Sequence, residues 1–278
     1  MKTTMNTINP GVNGVLQVMV MVSSLLVCGS ALSAPYVIQP SGQKLEGTAI
    51  RANKDGQIVL TTADGQLTFP KGTKAFADPP ADYPRAVQMV QQGQFAPAIQ
   101  ILTKVVDEYR FLEWDNKARR SLASAYVGKG DFKSAVGVYE ELFASVPESR
   151  KEEDVQGGYI RAVGGMGDDA KLAPLLQESI ASGPRKAAAV AQVVRGNMKL
   201  ARGDVQGALY DFLRTAEFFR EEAAVQPEAV YRAGECLEKL GDPRAEEFFA
   251  RVAKDYAQSP FAAKARMRSL PAASKPGR

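Results

Sequence analysis

Three patterns of apolar and polar positions follow one another along the chain. The first is an apolar run, Val18-Met19-Val20-Met21-Val22 and then Leu25-Leu26-Val27, with Lys2 the only charge before it. Small residues follow at Gly29, Ser30, Ala31, Ser33 and Ala34. That layout predicts a signal peptide over residues 1–33, cut near Ser33 or Ala34. Gln17, Ser23 and Ser24 interrupt the run and keep it short for a membrane span, so an uncleaved anchor is the alternative. Val27 is too large for the position before a lipid-bearing cysteine. Cys28 therefore reads as part of the apolar run.

The second pattern has period two. Leu45, Thr48 and Ile50 lead into Asn53-Lys54-Asp55-Gly56, Ile58 to Thr62 into Ala63-Asp64-Gly65, and Leu67-Thr68-Phe69 into Pro70-Lys71-Gly72. Asp-Gly pairs between alternating runs mark hairpins, because both turn positions favour positive φ. The expectation is a small antiparallel β-meander of three or four strands within residues 36–78. So short a stretch buries little core alone, so it needs the following domain or a partner to pack on. Pro79 and Pro80 fit neither a strand ladder nor a helix interior, and close this part.

The third pattern is helical and repeats. Glycine, a short loop and an alanine-led apolar run recur at Gly93, Gly130, Gly167, Gly203 and Gly241, separated by 37, 37, 36 and 38 residues. A near-constant period of this length means stacked supersecondary units. Around Gly130, Leu122, Ala123 and Tyr126 form one apolar stripe, and Ala135, Val136, Tyr139 and Leu142 form another. Their spacing suits two amphipathic helices facing each other. Gly130 is placed to end one helix and Asp131 to cap the next. Pro147 and Pro184 close the second and third units.

Composition narrows the chemistry. The 278 residues include 35 Lys and Arg, 31 Asp and Glu, and no histidine, for a formal charge of +4. Without histidine there is no Ser/His/Asp triad, Cys/His dyad, His-ligated metal or imidazole base. Cys28 and Cys236 are too few for a cysteine-rich metal site. The acidic stretch Glu148, Glu152, Glu153 and Asp154 is interleaved with Arg150 and Lys151 and reads as a solvated turn. Gly164-Gly165-Met166-Gly167 lacks the Lys-Ser/Thr of a phosphate loop. Trp114 and Cys236 read as packing residues. The weak net charge points away from a nucleic-acid binder. No catalytic, metal or cofactor site emerges, and an enzyme is not expected.

Leu122, Ala123, Tyr126, Gly130, Asp131, Phe132, Ala135, Tyr139 and Pro147 together resemble the tetratricopeptide repeat family. Ala233, Gly234, Leu237, Gly241, Asp242 and Phe249 carry the same pattern, as do Gly196, Gly203, Asp204, Ala208 and Phe212. The third unit departs from it, with Leu172 for the alanine and Asp169 for the aromatic, and the first lacks the Gly-Asp pair. The spacing of Tyr256, Ser259-Pro260, Ala262 and Ala265 is similar to repeats of bacterial envelope proteins, such as the periplasmic partner of the Tol–Pal system and the lipoprotein of the outer-membrane assembly machine. The resemblance implies a mainly α protein, a right-handed solenoid of about five helix-turn-helix units over residues 82–270; residues 271–278, with Lys275 and Arg278, read as a flexible basic tail. It also implies a non-catalytic scaffold, periplasmic or secreted, that binds a protein or peptide partner on its concave face. A peripheral envelope contact with glycan or lipid through basic helix faces is the alternative. On the family frame, Val87, Val90, Lys117, Arg120, Ser124, Arg161, Asn197, Tyr231 and Glu235 fall on the inner face. Arg120, Arg161, Asn197 and Tyr231 are the expected partner contacts, since Arg grips carboxylates through two bonds and Tyr adds rigid apolar area.

Overall fold

A computed structural model describes residues 34–269. The signal peptide expected over 1–33 and the basic tail expected over 271–278 lie outside the described residues.

Six short strands come first: β1 (Tyr36–Ile38), β2 (Lys44–Glu46), β3 (Ala49–Ala52), β4 (Ile58–Thr62), β5 (Gly65–Phe69) and β6 (Lys74–Phe76). They form two antiparallel sheets, ordered β2-β1-β6 and β3-β4-β5. Only the second is the meander expected from the period-two pattern. The period-two pattern does not announce β1: three residues are too few to show an alternation, and one of its two partner strands lies far along the chain. Val37 of β1 pairs with Leu45 on one side and Ala75 on the other. β2 and β3 are nearly continuous, and the chain passes from one sheet to the other at Gly47. A Cβ on Gly47 would come within 2.4 Å of the Thr61 carbonyl oxygen, so only glycine lets the bend close this tightly.

Val37, Ile58, Leu60 and Ala75 fill the space between the sheets, and Leu112 completes that core from the helical part. Leu112 is delivered by the loop after Glu108, in which Phe111 and Glu113 take positive φ of 65° and 71°. The buried carboxylate of Asp115 holds this conformation, accepting from the Phe111 N–H at 3.1 Å and from Arg119 at 2.7 Å. Trp114 adds a second tie, its indole N–H donating to the Ala77 carbonyl at 3.0 Å. The β module therefore packs on the domain that follows it.

Eleven α-helices follow among the described residues. They are α1 (Tyr83–Gln91), α2 (Phe95–Glu108), α3 (Trp114–Lys129), α4 (Phe132–Ser145), α5 (Glu153–Met166) and α6 (Asp169–Ser182), then α7 (Arg185–Ala201), α8 (Val205–Phe218), α9 (Gln226–Lys239), α10 (Ala245–Asp255) and α11 (Ala262–Arg268). Each helix from α1 to α10 packs on the next, and α11 packs on α10. The five repeated glycines all sit in the turns inside consecutive pairs, with φ between 70° and 85°. That left-handed geometry carries little penalty for glycine alone. Asp131, Asp168 and Asp204 then cap the following helices, each accepting a backbone N–H three residues on. Even the weak third unit, α5 with α6, obeys this plan despite Pro174 inside α6.

Packing repeats as well. Glycine on a first helix meets an aromatic on a second: a Cβ on Gly196 would lie 2.6 Å from the Phe212 ring, and one on Gly234 would lie 2.8 Å from Phe249. Tyr139, Phe212 and Phe249 are the largest fully buried side chains, each worth about 1.5–3 kcal/mol of burial. One polar feature joins α7 to α8. Asp211, fully buried, accepts from Gln192 at 2.8 Å, from Arg195 at 2.6 and 3.0 Å, and faces Lys199 at 2.9 Å. Burial pushes this carboxyl's pKa up, but hydrogen bonds from Arg195 and Lys199 outweigh burial and hold it below the usual aspartate value.

Candidate functional site on the face of the first helices

The helices that precede each glycine turn, α1, α3, α5, α7 and α9, lie side by side: α1 touches α3, α3 touches α5, α5 touches α7 and α7 touches α9. Their shared face is grooved rather than filled. A depression of about 700 Å³ runs between Val87 and Val90 of α1, Arg120 and Ser124 of α3, and the start of α5. A second, of about 410 Å³, continues past Ser124 and Arg161 to Glu228 and Phe261. A third, of about 840 Å³, is bounded by Arg161, Asn197, Glu228, Arg232 and Lys239. Arg120 reaches a further hollow of about 470 Å³ beside Tyr83 and Lys117. Shared lining residues make these one continuous surface.

Three of the four expected contacts line it, and each is already held by a neighbouring element. Arg120 forks onto Glu152, just before α5, with Nε at 2.8 Å and Nη2 at 2.5 Å from its two carboxylate oxygens. The bidentate bonds hold the guanidinium's pKa above, and the Glu152 carboxyl's below, their ordinary values. Arg161 donates to Glu228 at 2.9 Å, and the Asn197 amide donates to the other oxygen of the same carboxylate, also at 2.9 Å. Glu228 of α9 thus gathers groups from α5 and α7.

Tyr231 stands apart. It is 4% exposed, packed at 5.5 Å from the Phe249 ring and 5.3 Å from Phe261. Burial first, and then Glu235, raise its phenol's pKa. The family frame puts this position on an open inner face. Here Phe261, leading into α11, covers it, so Tyr231 contributes to the core and offers little surface to a partner.

Glu152 and Glu228 are site residues that no local pattern in the sequence marks. Glu152 belongs to the acidic stretch read as a solvated turn, and in that stretch Glu148 pairs with Lys151 and Asp154 with Lys186. Glu152 follows Arg120 by 32 residues and Glu228 follows Asn197 by 31, both short of the 36–38-residue period, so the repeat spacing alone points to neither. Cys236 is fully buried, and burial pushes its thiol up to about 11, which leaves it unreactive at neutral pH. Among the described residues no group of acidic or cysteine side chains is arranged to hold a metal ion.

Residues 228–259, the stretch from Glu228 in α9 through α10, match the family model for the tetratricopeptide repeat. This match supports a tetratricopeptide repeat family. A comparison with curated proteins gives no match. The matched unit is the one whose glycine turn, Gly241-Asp242, lies between α9 and α10, and it includes the Gly234–Phe249 contact. Tetratricopeptide repeat stacks are solenoids whose first helices line one face, and that face carries the grooves here.

Proposed function

We infer that this chain is a non-catalytic tetratricopeptide repeat scaffold, secreted or periplasmic, that binds a protein or peptide partner in the bacterial cell envelope. In this reading about five units wind into a right-handed solenoid, and the partner lies along the concave face. The observation that carries the reading is the continuous groove across α1 to α9, walled by Arg120, Arg161 and Asn197. Their bonds to Glu152 and Glu228 hold these side chains in fixed positions, which lowers the entropy lost when a partner docks. A partner carboxylate competes with Glu152 and Glu228 for the two guanidinium groups. The test is affinity capture from an envelope extract with the intact protein. A specific partner is expected, and Arg120→Ala together with Arg161→Ala weakens its retention. Capture indistinguishable from control beads would defeat the reading.

A second reading is supported by α11, which exposes Lys264, Arg266 and Met267 on one short helix. Basic groups beside an apolar side chain suit an anionic lipid or glycan surface. Salt-dependent cosedimentation with anionic vesicles or peptidoglycan is expected in that case, and none at low salt excludes it.

A further inference from the structure

We propose that β5 is a docking edge through which two copies of this chain pair their β modules, antiparallel and in one register.

The argument begins with how sheet edges are protected. An edge strand leaves a row of unpaired N–H and C=O groups, and proteins usually blunt it with charge or proline. Three of the four edges here follow that rule. β2 carries Lys44 and Glu46, β3 carries Arg51, and β6 carries Lys74. β5, Gly-Gln-Leu-Thr-Phe, carries no charge and no proline, and four of its five residues are exposed. It is an edge of its sheet, paired only to β4.

The side chains on β5 sharpen this. Leu67 lies directly opposite Leu60, and such cross-strand partners share a face. Leu60 is fully buried in the β core, whereas Leu67 on the same face is 43% exposed. The apolar face therefore runs past the end of its own covering, at the strand that has a free edge.

The hairpin fixes which groups are free. Thr62 pairs with Gly65 across the two-residue turn Ala63-Asp64, so the hydrogen-bonded pairs of this ladder are 62 with 65, 60 with 67 and 58 with 69. Gln66 and Thr68 accordingly direct their backbone N–H and C=O groups outward. Two antiparallel β5 strands related by a two-fold axis use both, Gln66 of each copy facing Thr68 of the other, each such pair exchanging two bonds. Leu67 then meets Leu67 of the second copy at a non-hydrogen-bonded site, with Cα atoms about 4.5 Å apart.

Charge selects a second copy as the occupant. The strand itself brings no like charges together. Asp64 precedes it and Lys71 follows it; Lys71 lies 5.5 Å over the Phe111 ring, and neither charge is paired with an opposite one among the described residues. Antiparallel self-pairing sets the Asp64 end of each strand beside the Lys71 end of the other.

The test uses the full chain with Cys28→Ser, which leaves Cys236 as the one remaining cysteine, buried and inert. Light scattering across a concentration series is expected to show the mass rising from one chain toward two. Leu67→Lys and Thr68→Pro should each hold it at one chain, with the far-ultraviolet circular dichroism unchanged. The exposed Leu67→Lys variant keeps the test valid if the proline variant fails to fold. On mild oxidation Leu67→Cys should give a disulfide-linked dimer, since about 4.5 Å lies within the Cα span of a disulfide. Asp64→Cys, with no symmetry mate opposite, should not. A mass of one chain at every concentration with no cross-link at position 67 overturns the proposal. An oligomer unmoved by both edge variants, or cross-linking of position 67 only to a different protein's extended segment, does the same.

Discussion

At single positions, the balance between space and charge decides what can change. Gly196 faces Phe212, which is fully buried and has nowhere to go. Gly196→Ala gains about 1 kcal/mol of helix propensity but overpacks the pair. The expected net result is a loss of about 1–2 kcal/mol, read as a lower denaturation midpoint with an unchanged slope. Asp211 poses the opposite problem. Its native pKa lies below its unfolded value, so its contribution is present above the ordinary aspartate range, about 4, and fades as pH falls through that range toward the native value. Asp211→Asn is expected to flatten the acid limb of a stability-versus-pH curve. Asp211→Ala leaves Gln192, Arg195 and Lys199 facing a void, and should lose about 2–3 kcal/mol at neutral pH in chemical denaturation. The two cations are partly exposed, which keeps that figure below the loss for a wholly buried pair.

Helices and turns are where the sequence spoke most clearly, because their determinants are local. A glycine in the left-handed region and an aspartate three residues before a free N–H are written within four residues; three turns carry both marks, and those at Gly93 and Gly241 are legible from the glycine. Asp131→Ala and Asp204→Ala should each cost about 1 kcal/mol, with hydrogen exchange quickening first in the opening turns of α4 and α8. The sheets were half legible. Asp-Gly turns announced β3, β4 and β5, but β1 takes its place only through partners at Leu45 and Ala75. The family frame sets Tyr231 on the inner face, and a frame drawn unit by unit carries no record of what packs over it. In the fold Phe261, leading into α11, covers the ring. The partners of Arg120 and Arg161 escaped for the same physical reason: no local pattern records which carboxylate stacking will bring near.

Across the whole molecule, two long-range ties set how the parts move together. The first joins the β module to the helices through Leu112 and the Trp114–Ala77 bond. Trp114→Phe removes the indole donor and leaves the Ala77 carbonyl without it. An expected loss of about 1 kcal/mol should appear chiefly as faster hydrogen exchange in β1 and β6, with α7 to α10 unaffected. The second tie is the Arg161–Glu228 pair, which reaches from α5 to α9, 67 residues along the chain, past the intervening α7. Repeat arrays ordinarily behave as one-dimensional chains, each unit melting according to itself and its immediate neighbours. A bond between next-nearest units breaks that independence: the C-terminal pair cannot fray without also giving up a contact made by the middle of the array. Unfolding should therefore be more nearly all-or-none than the architecture alone implies. In Arg161→Ala the single transition is expected to broaden or split, the α9 to α11 segment melting first.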